Sequence, residues 1–259
     1  MRFGVCTGIS QASIIADAGA DYIELSVAGD LIPDDSDEVW DSKRALIEAM
    51  PVPAEAFNSF VRTGKIVGPE ADWARLERYA HTAATRAAQI GGKIIVFGSG
   101  GARQIPDGYP TKKADADLLR FLGFCADAYE KTGVIVVIEP LSYRECNVLN
   151  TVDEGADMTR RVNRPGVRCL ADTYHMEANG EALSSIYDAA DVLAHTHTAD
   201  TGRGAPGTGV YDHVALFKTL NDARFDARIS IECSWKDLPS EVSPALVSLR
   251  ESVLATLPI

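Results

Sequence analysis

The chain has 259 residues, the usual size of one (β/α)8 barrel, with 46% hydrophobic and 24% charged residues. That ordinary globular balance excludes a collagen, coiled-coil or disordered main state. A net charge of −12, from 37 acidic against 25 basic residues, repels phosphate backbones and argues against a nucleic-acid partner.

Eight short apolar runs, rich in β-branched residues, follow one another at 3–6, 22–27, 56–61, 93–97, 134–139, 167–172, 192–197 and 229–233. Eight in this length is about 32 residues per repeat, close to one strand-helix unit. The runs are nearly continuous rather than alternating, as strands buried on both faces should be. Amphipathic stretches at 69–89, 114–132, 151–162 and 239–257 predict helices between them. In the first of these, Trp73, Leu76, Tyr79, Ala80, Ala83 and Ala87 recur mostly three or four residues apart. Thr151 with Glu154 three residues on fits a capping box. Strands alternating with helices imply parallel pairing through right-handed crossovers. With no composition break, the expected architecture is α/β: a single (β/α)8 TIM barrel over residues 1–259. The pattern alone leaves an open doubly wound sheet as the alternative.

Five scattered cysteines without a CxxC pair read as reduced thiols. The first residues lack the apolar core of a signal peptide, and no apolar run approaches the roughly 20 residues of a membrane span. A cytoplasmic chain with no membrane partner is expected.

The chemistry stands at the ends of the late strands. The fifth run ends on Glu139, the sixth on Asp172, the seventh on His195 and His197, and the eighth on Glu232. Ionisable groups that close apolar strands are costly unless paired or metal-bound. In a barrel these ends converge on one mouth. Spacings of 33, 25 and 35 residues between Glu139, Asp172, His197 and Glu232 are each about one repeat. Three carboxylates and one imidazole make a hard, mostly oxygen site, suited to Mn2+, Mg2+ or Co2+. The alternative is a web of hydrogen-bonded carboxylates around a buried histidine, which like-charge repulsion disfavours. His197 is the better ligand, being nearer the strand end, and His195 reads as a core histidine bonded to a neighbour. Residues 99–103 could cradle a phosphate with Arg103 as counter-charge. Residues 201–209 form a Gly-rich loop that is either a plain turn or a device placing Arg203 over the mouth. Cys6 and Phe57 read as packing on the barrel floor.

This constellation resembles the xylose-isomerase-like barrel superfamily, and within it the sugar phosphate isomerase/epimerase family that includes the D-tagatose and D-psicose 3-epimerases. The strand-five motif is carried by Glu139, Pro140 and Glu145, and the strand-six motif by Asp172 and His175. The strand-seven motif is carried by His197, Arg203, Pro206, Gly207 and Gly209, and the strand-eight motif by Glu232; Glu24 in YIELS is a weaker echo. The resemblance implies one divalent metal, Mn2+ first, held by Glu139, Asp172, His197 and Glu232. It implies substrate contacts from Glu145, His175 and Arg203, and an acid/base pair of Glu139 and Glu232 that works through a metal-stabilised enediolate. The partner would be a small-molecule sugar, a ketose or ketose phosphate, and the assembly a homo-oligomer. A keto-sugar or keto-inositol dehydratase or lyase would use the same site. A non-catalytic sugar-binding barrel and an endonuclease of the superfamily are further readings. The pair of opposed carboxylates stands against the binding barrel, and the acidic balance against the endonuclease. Asp200 stands where the epimerases more often carry Glu, and residues 27–37 are short and acidic, so substrate choice does not carry over.

Overall fold

The computed structural model describes residues 1–257; positions 258 and 259 of the expected domain lie outside the described residues. Eight strands, β1 (Arg2–Cys6), β2 (Tyr22–Ser26), β3 (Ala54–Asn58), β4 (Ile94–Phe97), β5 (Ile135–Ile138), β6 (Val167–Asp172), β7 (Leu193–Thr198) and β8 (Arg228–Ile231), pair in sequence order into a closed barrel. Neighbouring strands are parallel, including β8 on β1. The helices are α1 (Ala12–Asp17), α2 (Asp37–Glu48), α3 (Trp73–Gln89), α4 (Gly100–Arg103), α5 (Thr111–Thr132), α6 (Val152–Val162), α7 (Thr173–Asn179), α8 (Ser184–Asp188), α9 (His213–Asp222) and α10 (Leu238–Leu254). The closed ring removes the open-sheet alternative. No helix among the described residues is long and apolar enough to cross a membrane.

Because both faces of each strand are covered, the apolar core divides in two. Phe3, Phe57, Phe97, Phe121 and Phe217 belong to the large layer between strands and helices. Tyr22, Ala56, Ile94, Val96, Val137 and Leu170 fill the barrel itself. Phe57 thus packs outside the ring, against Gly92, rather than on the barrel floor. At the start of α6 the Thr151 side chain accepts from Glu154 N, whereas the Glu154 carboxylate reaches Asn150 N, one residue before the helix cap. β3 occupies 54–58 rather than the expected 56–61. Ser59 adopts a left-handed φ of 51°, which ends the strand, and Phe60 and Val61 are buried as loop residues.

Candidate active site

Alternation along a strand decides which side chains face the barrel interior. Val137, Ser230, Val96, Ala56 and Gly4 have the interior parity, since they lie in or against the inner core. Two residues further toward the strand C-termini come Glu139, Glu232, Gly98, Asn58 and Cys6. Asp172 and His197 are register partners on β6 and β7. Sequence parity therefore delivers one ring of chemistry at one mouth.

The ring is tight. His197 Nδ1 lies 3.0 Å from Glu139 Oε1 and 3.4 Å from Glu232 Oε2. Ligand atoms of Glu139, Asp172, His197 and Glu232 all lie within 4.8 Å of one another. His197 is fully buried and Asp172 nearly so. Asp172 Oδ1 accepts from Tyr174 N at 2.8 Å, while Oδ2 is buried without a hydrogen-bond partner. Burial, aided by Glu232 and Glu139 and opposed by the His175 and His197 imidazoles, pushes the Asp172 carboxyl up to about 6. Burial alone would lower the His197 pKa, but Glu24 and Glu232 reverse that and raise it well above its ordinary value. An orphaned carboxylate oxygen among three acidic groups and an imidazole is a donor set a divalent cation fits, because the cation meets the open lone pair and cancels the repulsion.

Around this ring stand the other expected residues. Arg203 Nη2 donates to Glu232 Oε2 at 2.7 Å, and its guanidinium lies 4.5 Å from the Tyr174 ring centroid. Its φ of 65° is left-handed, a strained conformation for a side-chain-bearing residue. Burial works against the charge on Glu232, but His197 and then Arg203 hold its carboxyl below the ordinary range. His175 lies in the first turn of α7, and its Nδ1 accepts the Ser142 N–H at 3.1 Å. That contact leaves the ring proton on Nε2, 3.5 Å from Asp172 Oδ2. Glu145, partly exposed at the rim, lies 3.4 Å from Ser142 Oγ. All seven expected residues are thus gathered at one end of the barrel.

Other features differ from expectation. Arg103 is fully buried and donates to the carbonyls of Phe97, Glu139 and Leu149 at 2.9, 2.9 and 3.1 Å. Its guanidinium braces two loops and cannot serve as a phosphate counter-charge. Asp200 accepts from Thr201 N, Gly207 N and Tyr211 N, so it organises the loop that carries Arg203. Cys6 lies at the mouth, not the floor, within 4.8 Å of Glu24 and His197.

Three neighbours of the site have no role in the sequence reading. Gly98 follows β4, and a Cβ there would fall 2.2 Å from Glu139 Oε2. Asn58 Nδ2 donates to Glu232 Oε1 at 3.4 Å. Glu24, buried at the ring's inner side, meets His197 Nε2 at 2.9 Å and His195 Nε2 at 3.0 Å. The strand-two echo was the only signal for Glu24; its burial inside an apolar run could have flagged it. Burial opposes its ionisation, yet the two imidazoles outweigh burial and hold its carboxyl far below the ordinary range.

Comparison with known proteins places this geometry. The family model described as xylose isomerase-like TIM barrel matches residues 12–252. A ketose 3-epimerase of Arthrobacter globiformis is 33% identical over 112 residues, which are 43% of this chain and 39% of that protein. A 3-dehydro-D-guloside 4-epimerase of Escherichia coli K12 is 30% identical over 155 residues, 56% of this chain and 58% of that protein. The matched segments therefore span 39% and 58% of the length of these relatives. The crystal structure of D-psicose 3-epimerase with D-tagatose from Clostridium cellulolyticum H10 superposes with a TM-score of 0.83 at 19% identity, covering 98% of this chain and 99% of that one. At that identity the likeness is one of fold.

Proposed function

This chain belongs to the xylose isomerase-like TIM-barrel family, and on that footing we propose that it is a divalent-metal-dependent sugar epimerase or isomerase. It would move a proton next to the carbonyl of a ketose or ketose phosphate, through an enediolate of the sugar. The observation that carries this reading is the approach of two carboxylates, Glu139 after β5 and Glu232 after β8, to the single nitrogen His197 Nδ1. A divalent cation held by Glu139, Asp172, His197 and Glu232, with Mn2+ first and Mg2+ or Co2+ as alternatives, supplies Lewis-acid stabilisation of negative charge on substrate oxygens.

The chain's own residues do the rest. Arg203, donating to Glu232 Oε2 at 2.7 Å, keeps Glu232 ionised, so its carboxylate accepts the proton from the carbon beside the carbonyl. Glu139 returns a proton taken up from water to the opposite face, and that carbon is inverted, after which Glu232 passes its proton to water. One carboxylate passing a proton between neighbouring carbons on one face gives aldose–ketose isomerisation instead. His175 Nε2, Arg203 and Glu145 hydrogen-bond substrate hydroxyls and fix which carbon lies between the carboxylates. The same reading takes residues 1–259 as one cytoplasmic barrel domain that assembles as a homo-oligomer. The epimerase names of the two relatives support it.

The test is incubation of the Mn2+-loaded protein with ketoses, ketose phosphates and keto-inositols in D2O, read by mass spectrometry and NMR. Deuterium beside the carbonyl with no loss of water is the expected result. Loss of water would replace the reading with a dehydratase. Metal bound without exchange in any compound would overturn the catalytic reading.

A further inference from the structure

We propose that Glu24 is a positioning residue: from inside the barrel it orients the His197 ring and fixes its proton on Nε2, so that Nδ1 presents a lone pair to the cation. The proposal rests on the metal-dependent reading above and concerns how the chain prepares one ligand.

The geometry is a closed clamp. Glu24 Oε1 meets His197 Nε2 at 2.9 Å. A carboxylate there accepts, so that nitrogen carries a hydrogen; Nδ1, which faces Glu139 at 3.0 Å, is then the nitrogen whose proton a cation would displace. Nδ1 is the atom that faces Glu139 and Glu232. The second Glu24 oxygen is also committed. Oε2 accepts from Ser230 Oγ at 2.6 Å and meets His195 Nε2 at 3.0 Å. Ser230 Oγ is held in turn by Tyr22 OH at 2.8 Å, and His195 Nδ1 lies 3.0 Å from the Arg228 carbonyl. With both oxygens engaged, the carboxylate has no free rotation, and the His197 plane inherits that rigidity.

Position and burial point the same way. Glu24, His195, His197, Ser230 and Tyr22 are each at most 1% exposed. They occupy barrel-interior positions that branched aliphatic side chains ordinarily fill. A carboxylate in such a place is costly unless its charge is used. Carboxylate support behind a ligating histidine is a general way to set its tautomer and basicity. Cys6, Glu24 and His197 could themselves be read as a second metal group. Against that, neither Glu24 oxygen is open.

The experiment titrates folded wild-type protein and Glu24→Gln with Mn2+ by calorimetry, and with Co2+ by visible absorption. The expected results are one Mn2+ per chain in the wild type, a 10–100-fold weaker Kd in Glu24→Gln, and a changed Co2+ spectrum. Equal affinity and an unchanged spectrum in a folded Glu24→Gln would overturn the proposal while leaving the metal reading intact. No binding by the wild type would instead overturn the metal reading. Two cations per chain would make Glu24 a ligand and overturn the positioning role. Should Glu24→Gln fail to fold, histidine 15N NMR of the Mg2+-loaded wild type decides. The His197 proton is expected on Nε2, and a proton on Nδ1 would overturn the proposal.

Discussion

Gly98→Ala separates the stability of the barrel from the competence of its mouth. The added Cβ would fall 2.2 Å from Glu139 Oε2, the far end of a flexible side chain. Ordinary contact needs about 3.4 Å, so the carboxylate must retreat by about 1 Å. It can do so by rotating, without moving β4, and the stability cost should stay within about 1 kcal/mol. The site has no such freedom, because Glu139 Oε1 sits 3.0 Å from His197 Nδ1. Misplacing a reacting group by 1 Å costs about 100-fold in rate. Urea unfolding and kcat/KM on the substrate found in D2O measure the two effects. A double-mutant cycle with Glu139→Asp adds a sharper test, since the shorter acid should cost less stability in the Gly98→Ala background than in the wild type. Gly98→Ala with wild-type kcat/KM, or with additive behaviour in the cycle, would refute the reasoning.

Asp172 should show the price of an unfilled cation site. The folded chain keeps its proton up to about 6, whereas the unfolded chain gives it up near 3.8. Its contribution to stability is fully present below the lower value and lost as pH rises through the higher, about 1.4 kcal/mol per pH unit and about 3 kcal/mol in all. Chelator-treated Asp172→Asn should therefore be up to about 3 kcal/mol more stable than wild type above pH 6, match it near pH 4, and bind less Mn2+. A less stable variant at neutral pH would contradict this. Glu139→Gln and Glu232→Gln should each abolish conversion of substrate to product with the fold intact by circular dichroism, and near-normal turnover in either would remove it from the acid/base pair. Arg103→Ala should lower stability by about 3–5 kcal/mol in urea unfolding, since it leaves a cavity and removes a charged donor from the Phe97, Glu139 and Leu149 carbonyls, the first and last of which keep a backbone donor. A loss below about 1 kcal/mol would show that the bracing is incidental.

What could be read beforehand was whatever depends on local alternation. The β-branched runs located the strands, and residues at their ends had to share a mouth once the sheet closed. That is why Glu139, Asp172, His197 and Glu232 were visible from spacing alone. β3 was misplaced because Phe60 and Val61 are apolar for the sake of the outer core, yet Ser59 turns left-handed before them. Arg103 was misread because a Gly-rich loop advertises open backbone donors, and nothing local shows that three carbonyls surround the guanidinium. Glu24 and Gly98 carry no role in the sequence reading for a related reason. Each acts through a side chain at least 41 residues away in sequence, and only ring closure brings the partners together.

The clamp on His197 also has a place in time. Glu24 lies on the second strand and its partners on the seventh and eighth, with 171 residues between Glu24 and His195 and 206 between Glu24 and Ser230. A chain emerging from the ribosome exposes that carboxylate long before any imidazole exists to receive it. Loop closure over such a distance comes late in folding. The seam between β8 and β1 joins the first strand to the last one synthesised, and Ser230 stands beside it. A half-made barrel thus holds scattered carboxylates in water, and the ligand set appears only when the ring shuts. Metal capture would then report completed assembly, and a nascent chain would be kept from binding a cation in the wrong shape.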